Sequence, residues 1–108
     1  MATLGRIAQF DRRTTVISWR VNGQAFDLTD ATFAGWKEDK SGEREALDGT
    51  LFLHDGPTGA MAWTKGAEDT GTPGLFQVQF RATIDGIDYF TLPARWEVVR
   101  SLVVEVEP

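Results

Sequence analysis

The chain has 108 residues, which is enough for one domain with a hydrophobic core but not for a separate catalytic lobe. Hydrophobic residues make up 42% and charged residues 25% of the sequence, an ordinary globular balance that excludes wholesale disorder. The formal charge is −5 and no basic run is present, so we do not expect nucleic acid among the partners.

The sequence contains no cysteine, which excludes disulfides, thiolate chemistry and cysteine zinc sites. No stretch reaches the length of a membrane-spanning helix, and residues 1–6 lack the apolar core of a signal peptide. We therefore expect a single domain over residues 1–108 that is made in the cytoplasm, has no membrane partner and is stabilised by packing alone.

The first third of the chain predicts a series of short strands. Residues 5–10 indicate a first strand, and residues 14–21 a stronger one, because apolar and polar side chains alternate there. Asn22-Gly23 then supplies the pair of positive φ angles that a type I′ hairpin turn requires. The return limb is predicted over residues 24–28, and a further strand over residues 31–36.

The middle of the chain combines a charged segment with two more strands. Residues 37–45 contain no apolar side chain that could be buried, so they predict a solvated, mobile loop. Residues 47–53 and 60–64 predict strands, separated by the Pro and Gly residues of a compact turn. At most one helical turn is expected between residues 65 and 74.

The best-patterned strand covers residues 74–84, in which every second side chain is apolar. Asp85-Gly86 is a second hairpin signal, followed by a limb over residues 87–92 that Pro93 ends. Residues 94–106 predict a last strand with a bulge near residues 100–101, where the apolar phase changes.

About seven to nine strands with frequent turns favour an all-β, antiparallel, two-sheet β-sandwich, with an up-and-down or partly open barrel as the alternative. Bulky apolar side chains at inward strand positions are expected to define the core. These are Trp19, Trp63, Phe76, Val78, Phe80 and Trp96.

No motif in the sequence predicts catalysis or a cofactor, so we do not expect an enzyme. His54 is the only histidine and has no second ligand at a suitable spacing, which favours a surface position. Acidic pairs such as Glu68/Asp69 leave a loop calcium site conceivable, although Asp-Gly steps are ordinary turn chemistry. The four tryptophans would suit a carbohydrate-binding module if they were exposed, but core positions are expected for most of them.

A set of short motifs gives the chain a family resemblance. In order they are Ala-Trp at 62–63, Asp-Thr at 69–70, Gly-Leu-Phe-Gln-Val-Gln-Phe at 74–80, Asp-Gly at 85–86 and Thr-Leu-Pro at 91–93. This order resembles the N-terminal immunoglobulin-like domain of phage baseplate upper proteins and related small tail proteins. The segment Phe-Asp-Leu-Thr-Asp-Ala-Thr at 26–32 is also similar to that family, with Asp30 in place of its usual Gly. The resemblance covers residues 5–106 in outline.

The resemblance implies an immunoglobulin-like sandwich and a structural role in a phage particle. Its members join one virion part to another, so it implies a small tail or baseplate adaptor present in multiple copies and bound to other virion proteins. A capsid decoration protein is the alternative within the same class. We expect attachment through a strand edge, the N-terminal segment or the charged loop, and the candidate interface residues are Arg6, Phe10, Arg12, Lys37, Glu38, Lys40 and Arg44.

Overall fold

The computed structural model describes residues 2–100, which form eleven strands and one short helix. The strands are β1 (Ala2–Ala8), β2 (Thr14–Ser18), β3 (Arg20–Val21), β4 (Gln24–Ala25), β5 (Thr32–Glu38), β6 (Arg44–Ala46), β7 (Thr50–Asp55), β8 (Ala60–Thr64), β9 (Gly74–Ile84), β10 (Ile87–Phe90) and β11 (Ala94–Val99). Helix α1 covers Ala67–Thr70. The all-β prediction and the single helical turn are confirmed.

The strands of this region form two main sheets that share one core. The larger sheet has the order β1-β11-β9-β5-β6, with β10 also paired to β9, and the smaller has the order β2-β8-β7; β3 and β4 form a separate ribbon. Trp63 on β8 meets side chains of the larger sheet, with its ring centroid 5.8 Å from that of Phe80 and 5.0 Å from that of Trp96. The core therefore lies between the two sheets.

Strand β9 organises the larger sheet, and its predicted bounds are confirmed. One edge pairs with β5, whereas the other pairs first with β11 and then with β10. The interruption lies at Pro93, which has no N–H for the ladder. Thr91 bridges the gap, because its N–H donates to the Phe80 carbonyl at 2.9 Å and its Oγ1 accepts the Phe80 N–H at 3.0 Å.

Both predicted hairpin turns are confirmed. Asn22 and Gly23 have φ angles of 52° and 80°, and Asp85 and Gly86 have 52° and 78°. Two consecutive positive φ angles are the signature of a type I′ turn, whose twist matches that of the flanking strands.

Two predictions about the strands are wrong. The described region already holds eleven strands, more than the seven to nine predicted. The strand expected over residues 14–21 divides into two at Trp19, and β6 adds a strand within the segment predicted to be a loop. The sheets are also not wholly antiparallel, since β1 pairs with β11 in parallel. Alternating hydrophobicity shows which face of a strand is buried, but it carries no information on strand direction. The part of the strand predicted over residues 94–106 that follows Arg100 lies outside the described residues.

The predicted mobile loop at residues 37–45 is instead a β-hairpin. Strand β5 continues through Glu38, which pairs with Arg44 on β6, so the connecting loop is confined to residues 39–43. The Asp39 carboxylate orders this loop by accepting the N–H groups of Ser41 and Glu43 at 2.9 and 3.0 Å. Backbone pairing needs no apolar side chain, which is why the charged composition was misleading.

The predicted core residues are buried with one partial exception. Trp19, Trp63, Val78, Phe80 and Trp96 are buried. Phe76 is half-buried, and its ring centroid lies 6.0 Å from that of Trp96. The apolar face of β9 therefore does form the centre of the larger sheet's inner surface.

A buried carboxylate holds the corner that leads into β9. Asp69 has no exposed surface, and its side chain accepts four N–H groups. The donors are the backbone of Asp48 at 2.8 Å, Gly49 at 2.8 Å and Gly66 at 2.9 Å, and the Trp63 indole at 3.2 Å. The carboxylate therefore connects the bend before β7, the end of β8 and the start of α1.

Truncating Phe80 tests its central position. We expect Phe80→Ala to lower the free energy of unfolding by about 3 to 5 kcal/mol, because it removes a buried ring that packs on Trp63. Phe90→Ala is the matched control, since Phe90 is 56% exposed, and it should cost less than about 1 kcal/mol. Urea denaturation followed by fluorescence measures both, and equal losses would show that Phe80 is not central.

Removing the Asp69 carboxylate tests the corner. We expect Asp69→Ala to lower the free energy of unfolding by at least about 3 kcal/mol, because four N–H donors, two of them buried, lose a charged acceptor. The neighbouring Glu68 is exposed, so Glu68→Ala should stay within about 0.5 kcal/mol of the parent. Thermal and urea melts measure the difference; a loss under about 1 kcal/mol for Asp69→Ala would mean that the carboxylate does not hold the corner.

Candidate functional site

The three N-terminal interface candidates lie on or just after the edge strand β1. Arg6 is exposed and pairs with Glu97 on β11 at 3.0 Å. Phe10 is 65% exposed with a φ of 71°, and its N–H donates to the Thr70 carbonyl at 3.1 Å. Arg12 is exposed and its Nε lies 3.4 Å from the Lys65 carbonyl that it donates to. These positions are accessible to a partner.

Lys37 is not an interface residue, contrary to the prediction. It is 3% exposed, and its Nζ donates to the carbonyls of Glu68 at 2.7 Å and Asp69 at 3.3 Å. The ammonium also lies 3.5 Å from the Glu45 carboxylate and 4.9 Å from the centroid of the Phe76 ring. A cation suits this place because the last carbonyls of a helix lack partners within the helix.

The other residues of the charged segment remain at the surface. Glu38 and Arg44 face each other across the β5–β6 hairpin at 3.5 Å, and Lys40 is exposed in the loop. This hairpin lies at one edge of the larger sheet, whereas β1 lies at the opposite edge. The seven candidates therefore do not form a single patch.

A second buried lysine supports the N-terminal segment. Lys65 is 3% exposed, and its Nζ donates to the Arg13 carbonyl at 3.0 Å and to the Thr15 hydroxyl. Burial lowers the pKa of Lys65, since desolvation disfavours the charged ammonium. Nearby, hydrogen bonds from the Arg13 side chain lower the pKa of Asp11. The Lys65 ammonium therefore holds residues 13–15 against the chain that follows β8.

The described side chains do not form a metal-binding cluster. His54 is exposed on β7, as expected. Within residues 2–100, no three His, Asp or Glu side chains gather in a geometry that could hold a metal ion. No helix in this range combines the length and apolar character of a membrane span.

The tryptophans are placed for packing. Trp19, Trp63 and Trp96 are buried, and the half-buried Trp36 ring is covered by the Arg81 guanidinium, 5.3 Å from its centroid. The expected core placement of most tryptophans is confirmed. Their rings do not form the exposed platform that stacking on sugars would need.

The most distinctive surface feature is an apolar groove of about 600 Å³, which we call the β10 groove. Its floor is a row of aromatic rings: Phe26 stacks on Trp19 with 6.3 Å between centroids and meets Tyr89 edge-on at 5.0 Å. Ten large hydrophobic residues are exposed within residues 2–100, and half of them line this groove. They are Val16, Val21, Tyr89, Phe90 and Leu92.

Strand β10 also offers an open edge beside this groove. Its residues pair with Ile84 to Arg81 of β9, and within residues 2–100 they pair with no other strand. An unpaired strand edge presents N–H and C=O groups that can accept a further strand. The β10 groove therefore combines apolar side-chain pockets with backbone hydrogen-bonding capacity, which together suit an extended polypeptide.

Sequence reasoning missed the β10 groove, although a signal was present. On β10 both alternating faces carry large apolar residues, with Ile87 and Tyr89 on one side and Phe90 on the other. A half-buried strand normally has one polar face, so two apolar faces indicate that the second is covered by something else. Val21 on β3 is likewise 55% exposed, at the groove.

Comparison with known proteins identifies no family for the chain. No protein-family model matches the chain, and a search of curated proteins finds no similar sequence. A functional assignment must therefore rest on the surface geometry and on the motif resemblance.

Replacing each of the two lysines of the charged segment with methionine compares the stability contribution of the buried one with that of the exposed one. We expect Lys37→Met to lower the free energy of unfolding by about 1 to 3 kcal/mol, because the Glu68 and Asp69 carbonyls lose a charged donor. The same change at the exposed Lys40 should stay within about 0.5 kcal/mol. Urea melts of both variants provide the comparison, and a neutral Lys37→Met would return Lys37 to the list of surface candidates.

Proposed function

We propose that the chain is an immunoglobulin-like β-sandwich that serves as a phage virion structural protein, a tail or baseplate adaptor that acts by docking to other virion proteins. The proposal assigns it no catalytic activity and no cofactor. Multiple copies in each particle are part of the proposal, and the virion is its proposed location.

The observation that carries the docking role is the β10 groove. Monomeric proteins seldom concentrate their exposed large hydrophobic side chains in one place, and a patch of this kind marks an interaction surface. The buried charged side chains of the described region are instead used internally: Asp69, Lys37 and Lys65 bind backbone groups of the fold. A protein-binding role uses the accessible surface, whereas a catalytic role has no comparable support.

The motif resemblance supports the virion class. Its quoted segments occupy structurally demanding positions: Trp63 and Asp69 form the buried corner, residues 74–80 begin the central strand, and residues 91–93 hold the break between β10 and β11. Residues at such positions are constrained by the fold, so a shared order of these motifs supports a shared architecture.

A capsid decoration protein remains the second candidate. An independently folding domain with an accessible docking groove suits the outside of a capsid as well as a tail. The two candidates differ only in where the groove binds on the particle.

Analysis of intact particles tests the proposal. We expect mass spectrometry of purified phage particles from a host that carries this sequence to find the chain at a fixed stoichiometry with the other virion proteins. Antibody labelling in electron microscopy should then mark the tail or baseplate; label on the capsid would select decoration instead. Particles that lack the chain would refute both virion roles.

A further inference from the structure

The β10 groove has a shape and chemistry that specify its occupant. Its described lining is apolar except for Arg20 and hydroxyl groups such as those of Ser18 and Thr91. Beside it, the edge of β10 is open to a further strand. The occupant should therefore be an extended segment with alternating apolar side chains and some negative charge.

Residues 101–108 of this same chain have that composition. Their sequence is Ser-Leu-Val-Val-Glu-Val-Glu-Pro, and in an extended conformation Leu102, Val104 and Val106 would share one face. Glu105 and Glu107 would then supply negative charge on the other face. The segment lies outside the described residues, so its relation to the groove is inferred from its sequence and from the position of Arg100.

Strand β10 of the same copy is too far away for this segment to pair with it along its length. Along β9, Val98 pairs with Gly74 and Tyr89 pairs with Ala82, so eight strand steps, or about 26 Å, separate Val98 from Tyr89. Arg100 lies two residues further along the chain, which gives about 33 Å between Arg100 and Tyr89. Eight fully extended residues span at most about 26 to 29 Å, even without the reversal that a return path needs.

Charge also favours this pairing. Arg20 is the one charged side chain in the described lining of the groove, and within residues 2–100 it forms no ion pair; its guanidinium donates only to the Gly23 carbonyl, at 3.4 Å. With the apolar face of the segment turned into the groove, Glu105 and Glu107 would point outward at its rim, where the exposed Arg20 guanidinium can accept a carboxylate as its partner. Complementary charge at an interface fixes the register and the choice of partner.

We propose that the β10 groove binds residues 101–108 of a second copy of the chain, as an added strand along β10. The exchange links copies either reciprocally, as a closed dimer, or head to tail, as a ring or filament. This inference rests on the proposed docking function, to which it adds the partner and the binding segment.

Cross-linking tests the proposal directly, because the natural chain has no cysteine. Full-length Leu92→Cys and Val104→Cys proteins are prepared separately, mixed and treated with a short bismaleimide. We expect a covalent dimer in the mixture at a level many-fold above that of either protein alone. The control replaces Leu92→Cys with Thr50→Cys, an exposed site on β7 outside the groove, and should give only background.

A charge exchange adds a second readout. We expect Arg20→Glu, placed in both cross-linking proteins, to reduce the covalent dimer several-fold. Adding Glu105→Arg and Glu107→Arg to these proteins should restore it, which a folding defect would not do. Circular dichroism checks that every variant remains folded.

Two results would overturn the proposal. Cross-linking of the mixture no greater than that of the Thr50→Cys control would mean that residues 101–108 of a second copy do not occupy the groove. Cross-links confined to single chains in a Leu92→Cys/Val104→Cys double variant would mean that the segment reaches its own groove. Neither result bears on whether the chain is found in phage particles, so the two proposals fail separately.

Discussion

The buried Asp69 carboxylate is the interaction on which the rest of the structure depends. Two of its four N–H donors, Asp48 and Gly49, lie about twenty residues earlier in the sequence, and the other two, Trp63 and Gly66, lie close by; together they fix how the smaller sheet leads into β9. Packing at this corner leaves no room for a side chain at Gly49, where a Cβ would lie 2.0 Å from the Thr64 carbonyl oxygen. A buried carboxylate without such donors would be strongly destabilising, so the corner forms as a unit.

The two buried lysines complete this arrangement from opposite sides. Lys37 reaches the carbonyls at the end of α1 from β5, and Lys65 reaches the Arg13 carbonyl at the start of β2. Each ammonium donates to backbone oxygens that lie outside the strands, and each lies over an aromatic ring, Phe76 for Lys37 and Trp63 for Lys65. Two charged side chains that composition alone would place at the surface are thus buried and stabilise the fold.

This use of polar groups shapes the functional interpretation. The described carboxylates and ammonium groups near the core are committed to backbone partners, while aromatic and aliphatic side chains remain accessible at the β10 groove. An open strand edge beside apolar pockets is suited to binding an extended chain. The same geometry serves an adaptor between virion parts and an exchange of strands between identical copies, since both require a polypeptide in the groove.

The sequence by itself determined the all-β class, the hairpins at Asn22 and Asp85, the central strand β9 and most of its buried face, because these depend on local φ preferences and on the two-residue period of a strand. Only the tertiary structure decided the parallel pairing of β1, the burial of Lys37 and the β10 groove. Each of these depends on which distant segments become neighbours. Periodicity predicts that one face of a strand is covered, but it does not identify the segment that covers it.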